Sequence, residues 1–172
     1  MSGLPDRLER LIERTINMKT KIKTERGQSL VEMAISLVVI LFLLSGVVEF
    51  GIAFFQFIQL RDAAQEGALF ASINPPATTA SNDPNRLLAI SRVRAASNKP
   101  IDMSEAAGLV TVTVTVTGSP CAGNAVTVDV FFRHQVFMPF VSPIFTAMSG
   151  DGSNTIPLTG SVTDTILQPA CP

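Results

Sequence analysis

Tryptophan and tyrosine are absent from the 172 residues, and histidine occurs once, at position 134. The first two absences remove the residues that usually mark a membrane–water interface, so membrane contact has to be read from other side chains. The lone histidine has no Cys, Asp or Glu companions at ligand spacing, which argues against a metal centre. No serine or cysteine has a companion base in view, and no glycine-rich phosphate loop occurs. An enzyme, a cofactor and a small-molecule substrate are therefore not expected. His134, beside Arg133 in a strand-like stretch, reads as a surface residue. Arg86, Arg92, Arg94 and Lys99 form a small basic group without interleaved aromatics. It reads as solvated, and no nucleic-acid partner is expected.

Charge is scarce too. Charged residues make up 16% of the chain, where a soluble domain carries about 25%. The deficit is local. Between Gln28 and Leu60 there is no Lys or Arg, and the only acids are Glu32 and Glu49. The first 26 positions instead hold seven basic and four acidic side chains, a net of +3. Proline is missing from residues 28–72, where Gly46, Gly51 and Gly67 are the only breakers. That stretch reads as one helix. Its uncharged run, Met33–Val48, has 16 residues and covers about 24 Å, close to the ~30 Å hydrocarbon core. Phe50–Ile58 extends it.

Past Glu49 the helix turns amphipathic. Phe50, Phe54, Phe57, Ile58, Ala64 and Ala68 fall on one face, and Gln56, Gln59, Asp62 and Glu66 on the other. The apolar stripe needs a cover, either the chain's own distal part or neighbouring copies. Residues 1–27 form a basic head. Leu4, Leu8, Leu11, Ile12 and Ile16 recur at helical spacing there, which suits a solvated cytoplasmic stub or membrane-surface contact. Residues 73–108 are a connector with a short helix near Arg86–Ser97, capped by Asp83 or Asn85. Residues 109–172 are β-rich. Leu109–Thr117 alternates Val and Thr with period two, and Ala125–Phe137 and Thr155–Leu167 supply two further strands. Between them, Pro139–Asn154 reads as a loop with an apolar patch (Phe140, Val141, Ile144, Phe145). The expected class is α+β: a long N-terminal transmembrane helix continuing into an amphipathic helix, then a small antiparallel β-sheet domain.

The informative motif is Arg26-Gly27-Gln28-Ser29-Leu30-Val31-Glu32 before the apolar run. A basic residue, Gly, and then Glu after four residues resembles the processing site of type IV prepilin-like proteins. Gly lacks Cβ and can extend into a peptidase cleft. Glu32 opens the apolar helix, where the helix dipole favours a carboxylate. Val48-Glu49-Phe50-Gly51, Ala63-Ala64 and Glu66-Gly67-Ala68 follow in register, and Arg26–Ser72 as a whole resembles the TadE family of Tad (tight adherence) pilus systems.

That resemblance implies a pilin-like structural subunit, cut by a prepilin peptidase between Gly27 and Gln28. Glu32 would pair with the N-terminal amine of a neighbouring subunit. It also implies membrane lipid, the peptidase and other pilin-like subunits as partners. Glu49 is expected as a solvated interfacial residue or as an inter-subunit contact, with Arg61 as a candidate partner. The positive-inside rule places residues 1–27 in the cytoplasm and 73–172 outside a cell (inner) membrane crossed once. That location permits a Cys121–Cys171 disulfide, worth about 4 kcal/mol in the chain-entropy picture; two free thiols are the alternative. The competing functional reading is an uncleaved single-pass anchor displaying a β-rich binding domain.

Overall fold

The computed structural model describes residues 4–139, 141–150 and 152–169; within the first helix the side chains of residues 4–6 and 17–26 are not described. The chain divides into two compact units, Met1–Leu44 and Ser45–Pro172. Helix α1, Leu4–Ile73, contributes to both. The helix expected over 28–72 lies inside it. No break occurs at the expected end of the basic head, because Gly27 and its neighbours are helical.

From Leu30 to Leu44 in the first unit α1 is apolar apart from Glu32 and Ser36, and it is uncovered on every side. Leu30 is 69% exposed, Met33 67%, Ile35 62% and Leu43 60%. A helix greasy all round and unburied has no stable place in water, whereas lipid solvates every face. By length and composition, Gly27–Ile73 can cross a membrane.

The second unit is a two-layer α+β domain. Strands β1 (Val110–Thr117), β2 (Ala125–Gln135) and β3 (Thr155–Thr165) form one antiparallel sheet in the order β1-β2-β3. Register follows from the alternation. Val112 faces Val130, Val114 faces Val128 and Val116 faces Val126, so one face is valine. A slip by one residue would turn every valine to solvent. The opposite face carries hydroxyls, with Thr127 and Thr163 hydrogen-bonded across strands at 2.9 Å. The valine face packs against α1 and helix α2 (Pro84–Ala96).

The buried face of α1 agrees with the expected one at Ala64 and Ala68 and differs from it at the phenylalanines. The buried stripe is Leu60, Ala63, Ala64, Ala68 and Ala71, together with Gln59 and Ser72. Phe50 and Phe54, assigned to the covered face, are 71% and 51% exposed. Close approach explains the choice. A Cβ on Gly160 of β3 would lie 2.5–2.7 Å from the backbone of Leu60 and Arg61. One on Gly67 would press into the Val93 and Val128 side chains. Backbones that near leave room for alanine and glycine and none for phenylalanine rings. Gln59 tolerates burial because its amide is satisfied: it accepts from the Ile101 N–H at 2.8 Å and donates to the Ile101 carbonyl at 2.9 Å.

Asp83, not Asn85, caps α2, accepting from the backbone N–H groups of Asn85 (3.0 Å) and Arg86 (3.2 Å). Burial alone would raise its pKa. The hydrogen bonds from Arg86, Thr78 and Asn85 outweigh that and hold the carboxyl below its ordinary 3.8. A folded value below the unfolded one gives stability that is complete above the unfolded value and lost as pH falls through the folded one. The melting gap between wild type and Asp83→Ala should therefore be about 5 °C near neutrality and narrow below pH 3.8. Thermal melts across that range check it; a gap independent of pH contradicts it.

The Pro139–Asn154 stretch, expected as a loop, contains helix α3, Ser142–Met148, with proline in its first turn. Proline's fixed φ suits that position. Arg86, expected to be solvated, donates to the Val114 carbonyl and to that of Thr78 at 3.1 Å. It thereby occupies an acceptor on edge strand β1, a group that could otherwise pair with a foreign strand. Arg94 pairs with Glu105 at 3.2 Å.

Candidate functional site

Two places in the chain bear on function, one in each unit. In the first, Gly27, Gln28, Val31, Glu32, Ile35 and Ser36 line a shallow, open depression on α1. Gln28 and Glu32 stand one helical turn apart, so they share a face. Gly27 is exposed, and a Cβ there would meet nothing within 4 Å. No packing in the structure therefore demands glycine at 27. Arg26 is helical, but its side chain lies outside the described residues.

In the second unit, Glu49 is 4% exposed and His134 2%. The Glu49 carboxylate takes the His134 imidazole Nε2 at 2.8 Å. It also accepts the backbone N–H of Met138 at 3.1 Å and that of Phe137 at 3.4 Å. Four oxygen lone pairs thus meet three donors, and a buried carboxylate is tolerated only with such satisfaction. One turn earlier on the same face, Ser45 is also buried, and its hydroxyl has no partner. The node ties three pieces together: α1 at residue 49, the end of β2, and the segment leading to α3.

This corrects two expectations. His134 is not a surface strand residue, and Glu49 is not solvated. The carboxylate's partners lie within the chain, while Arg61 is exposed. The missed signal was present in the strand. Val126, Val128, Val130 and Phe132 alternate with period two, and His134 continues their parity, which puts it on the buried face. A histidine there requires a polar partner, and Glu49 is the acid at the end of the uncharged run.

Among the described residues no group of His, Cys, Asp and Glu could hold a metal ion, and no described cysteine is a free thiol. Cys171 lies outside the described residues, so the expected pairing with Cys121 falls there.

A helix able to cross a membrane, carrying a small α+β domain, defines a class of membrane-anchored proteins. Its helix is of a particular kind: a family model described as TadE-like protein matches residues 27–69. The match covers the stretch on which the sequence resemblance rests and begins at Gly27. No curated protein and no solved structure matches the chain.

Proposed function

We propose that this chain is a pilin-like structural subunit of a Tad-type pilus, inserted in the cell membrane with residues 1–27 cytoplasmic and the β-sheet domain outside. The observation that carries this reading is the TadE-like match starting at Gly27, at the head of an apolar helix left uncovered on every side. A prepilin peptidase cuts after Gly27. The bond is helical in the uncut chain, so the peptidase must unwind it. Glycine lowers that cost by about 1 kcal/mol relative to alanine. The freed helix would begin with Ser29 three residues before Glu32, the spacing of a capping box, so the new end has its own cap. Glu32 then meets the new amine of a neighbouring subunit, which offsets the cost of a carboxylate among apolar helices, about 2.5 kcal/mol or more. The role is structural rather than catalytic.

N-terminal sequencing of the membrane-extracted protein tests the assignment. A chain starting at Gln28 is the expected result, whereas an intact Met1 favours the uncleaved anchor. Gly27→Ala should abolish maturation in cells carrying the cognate peptidase. Glu32→Ala should leave cleavage largely intact and reduce assembly at least about tenfold, the equivalent of 1.4 kcal/mol or more. Normal assembly of that variant removes its proposed role. Outside the membrane Cys121 and Cys171 would be oxidised to a disulfide. A thiol count on the denatured, unreduced chain should read none, and two would refute the bridge.

A further inference from the structure

The segment after β2 is unlike the rest of the domain surface. From Gln135 to Gly150 no residue is charged. Phe137 is 56% exposed, Ile144 47% and Met148 80%. Its polar groups are satisfied locally. The Thr146 hydroxyl donates to the Ser142 carbonyl at 2.9 Å, and the Ser149 hydroxyl to that of Thr146 at 3.1 Å. Asn154 bonds Val136 through both backbone and side chain, at 2.8 and 3.1 Å. Among the described residues between 137 and 148, the exposed ones are Phe137, Pro139, Pro143, Ile144, Ala147 and Met148, all apolar.

Its position is fixed by the buried node. The Glu49 carboxylate holds the Phe137 and Met138 N–H groups, so the segment is fastened at the level of residue 49 on α1. Residue 49 directly follows the uncharged run Met33–Val48. A bilayer's headgroup layer extends about 5–7 Å beyond each face of the hydrocarbon core. A run of about 24 Å that starts at one face of the ~30 Å core brings residue 49, and whatever is tied to it, to within about 6 Å of the opposite border between acyl chains and headgroups. Phe50, Phe54 and Phe55, 71%, 51% and 68% exposed, lie within the next two turns.

The geometry points to the exposed Phe137, Ile144 and Met148 as a lipid-binding foot, set into the headgroup–acyl border on the side where the domain stands. This rests on the membrane insertion proposed above and adds a second point of contact to it. Lipid fits better than a second copy of the chain for two reasons. The segment is tied to α1 at residue 49, the position that follows the uncharged run in the sequence. The segment also lacks any charge that could set register with a protein partner. An interfacial helix buries its apolar tips about 5–10 Å into that border, which suits Ile144 and Met148 on one short helix. The foot would keep water and lipid away from the Glu49–His134 pair and limit tilting of the domain about a single helix.

Because the chain has no tryptophan, one introduced residue is its only indole. Ile144→Trp, Met148→Trp, Leu41→Trp in the crossing run and Thr113→Trp on the hydroxyl face are each made in the full chain. Each is reconstituted in phosphatidylcholine/phosphatidylglycerol vesicles with bromine placed high or deep on the acyl chains. Leu41→Trp should be quenched most by deep bromines. The 144 and 148 variants should emit further to the blue than Thr113→Trp, and shallow bromines should quench them several-fold more strongly. Strong quenching at 41 with none above the 113 level at 144 and 148 overturns the foot and leaves the membrane span standing. Blue-shifted but unquenched emission at 144 and 148, moving red on dilution with empty lipid, assigns the patch to a second copy and also overturns it. No quenching at 41 removes the membrane reading and the foot with it.

Discussion

Gly160→Ala should lower the melting temperature of the detergent-solubilised chain by roughly 10 °C, the equivalent of about 3 kcal/mol for a domain of this size. The reason is the closeness of β3 to α1. An added Cβ would sit 2.5 Å from the Leu60 carbonyl carbon, 2.6 Å from the Arg61 nitrogen and 2.7 Å from the Leu60 oxygen. These are backbone atoms of a helix, which cannot rotate aside as a side-chain tip can. The helix must therefore lift from the sheet as a body. Even a gap of about 0.5–1 Å forfeits a quarter to a half of each contact's attraction. At stake is the packing of the buried cluster to which Leu60, Ala63, Ala64, Ala68, Val128 and Val130 belong, all fully buried.

The same substitution at two other glycines separates this cause from any general effect of losing glycine. At Gly51 a Cβ meets nothing within 4 Å, so Gly51→Ala in the helix should be neutral or stabilising by up to about 1 kcal/mol. At Gly67 the clash is with the Val93 side chain, with Val128 Cγ1 at 3.3 Å. The Val128 methyl has to give only a few tenths of an ångström, and the Val93 side chain must turn further aside, which a side chain can do where a helix backbone cannot, so Gly67→Ala should fall between the two. Equal melting temperatures for all three variants would mean that the helix is not seated on the sheet as the structure has it.

These glycines also show what a sequence can and cannot reveal. The membrane run and the three strands follow from local pattern, absence of charge and period-two alternation, and the α2 cap was narrowed to Asp83 or Asn85. The covered face of α1 followed only in part: Ala64 and Ala68 are buried as expected, and Phe50 and Phe54 are not. Its phenylalanines carry the larger hydrophobic content, and a reading by hydropathy assigns them to the covered face. Packing chose the alanine stripe instead, because burial depends on how near two backbones come as well as on how greasy a side chain is. Exposed Phe50 and Phe54 fit an apolar surrounding supplied from outside the chain. Helix α3 was obscured by its punctuation, since Pro143 sits in the first turn of a helix of only seven residues and Ser149 and Gly150 follow it. The processing motif is the converse case. Gly27, Gln28 and Glu32 are conspicuous in the sequence, and the fold neither packs on them nor constrains them.

The Glu49–His134 node should dominate the chain's polar energetics. Glu49→Ala removes the acceptor of one imidazole and two backbone N–H groups at a site 4% exposed. Stranding the partners of a buried pair costs about 3–5 kcal/mol, so this variant should lose cooperative melting or melt more than about 10 °C lower. His134→Phe leaves the carboxylate its two backbone donors and should cost less. The two changes are not independent. Glu49→Leu, which strands the same partners when made alone, replaces the pair by apolar groups of similar size when combined with His134→Phe, and such a replacement is often close to neutral. It still orphans the Phe137 and Met138 N–H groups, at about 1–3 kcal/mol. The double variant should thus be more stable than the sum of the single losses predicts by at least about 1 kcal/mol. Strict additivity would show that the two side chains do not meet. A Glu49→Ala chain that melts like wild type would show that the node contributes nothing to holding β2 and the α3 segment against α1 where the uncharged run ends.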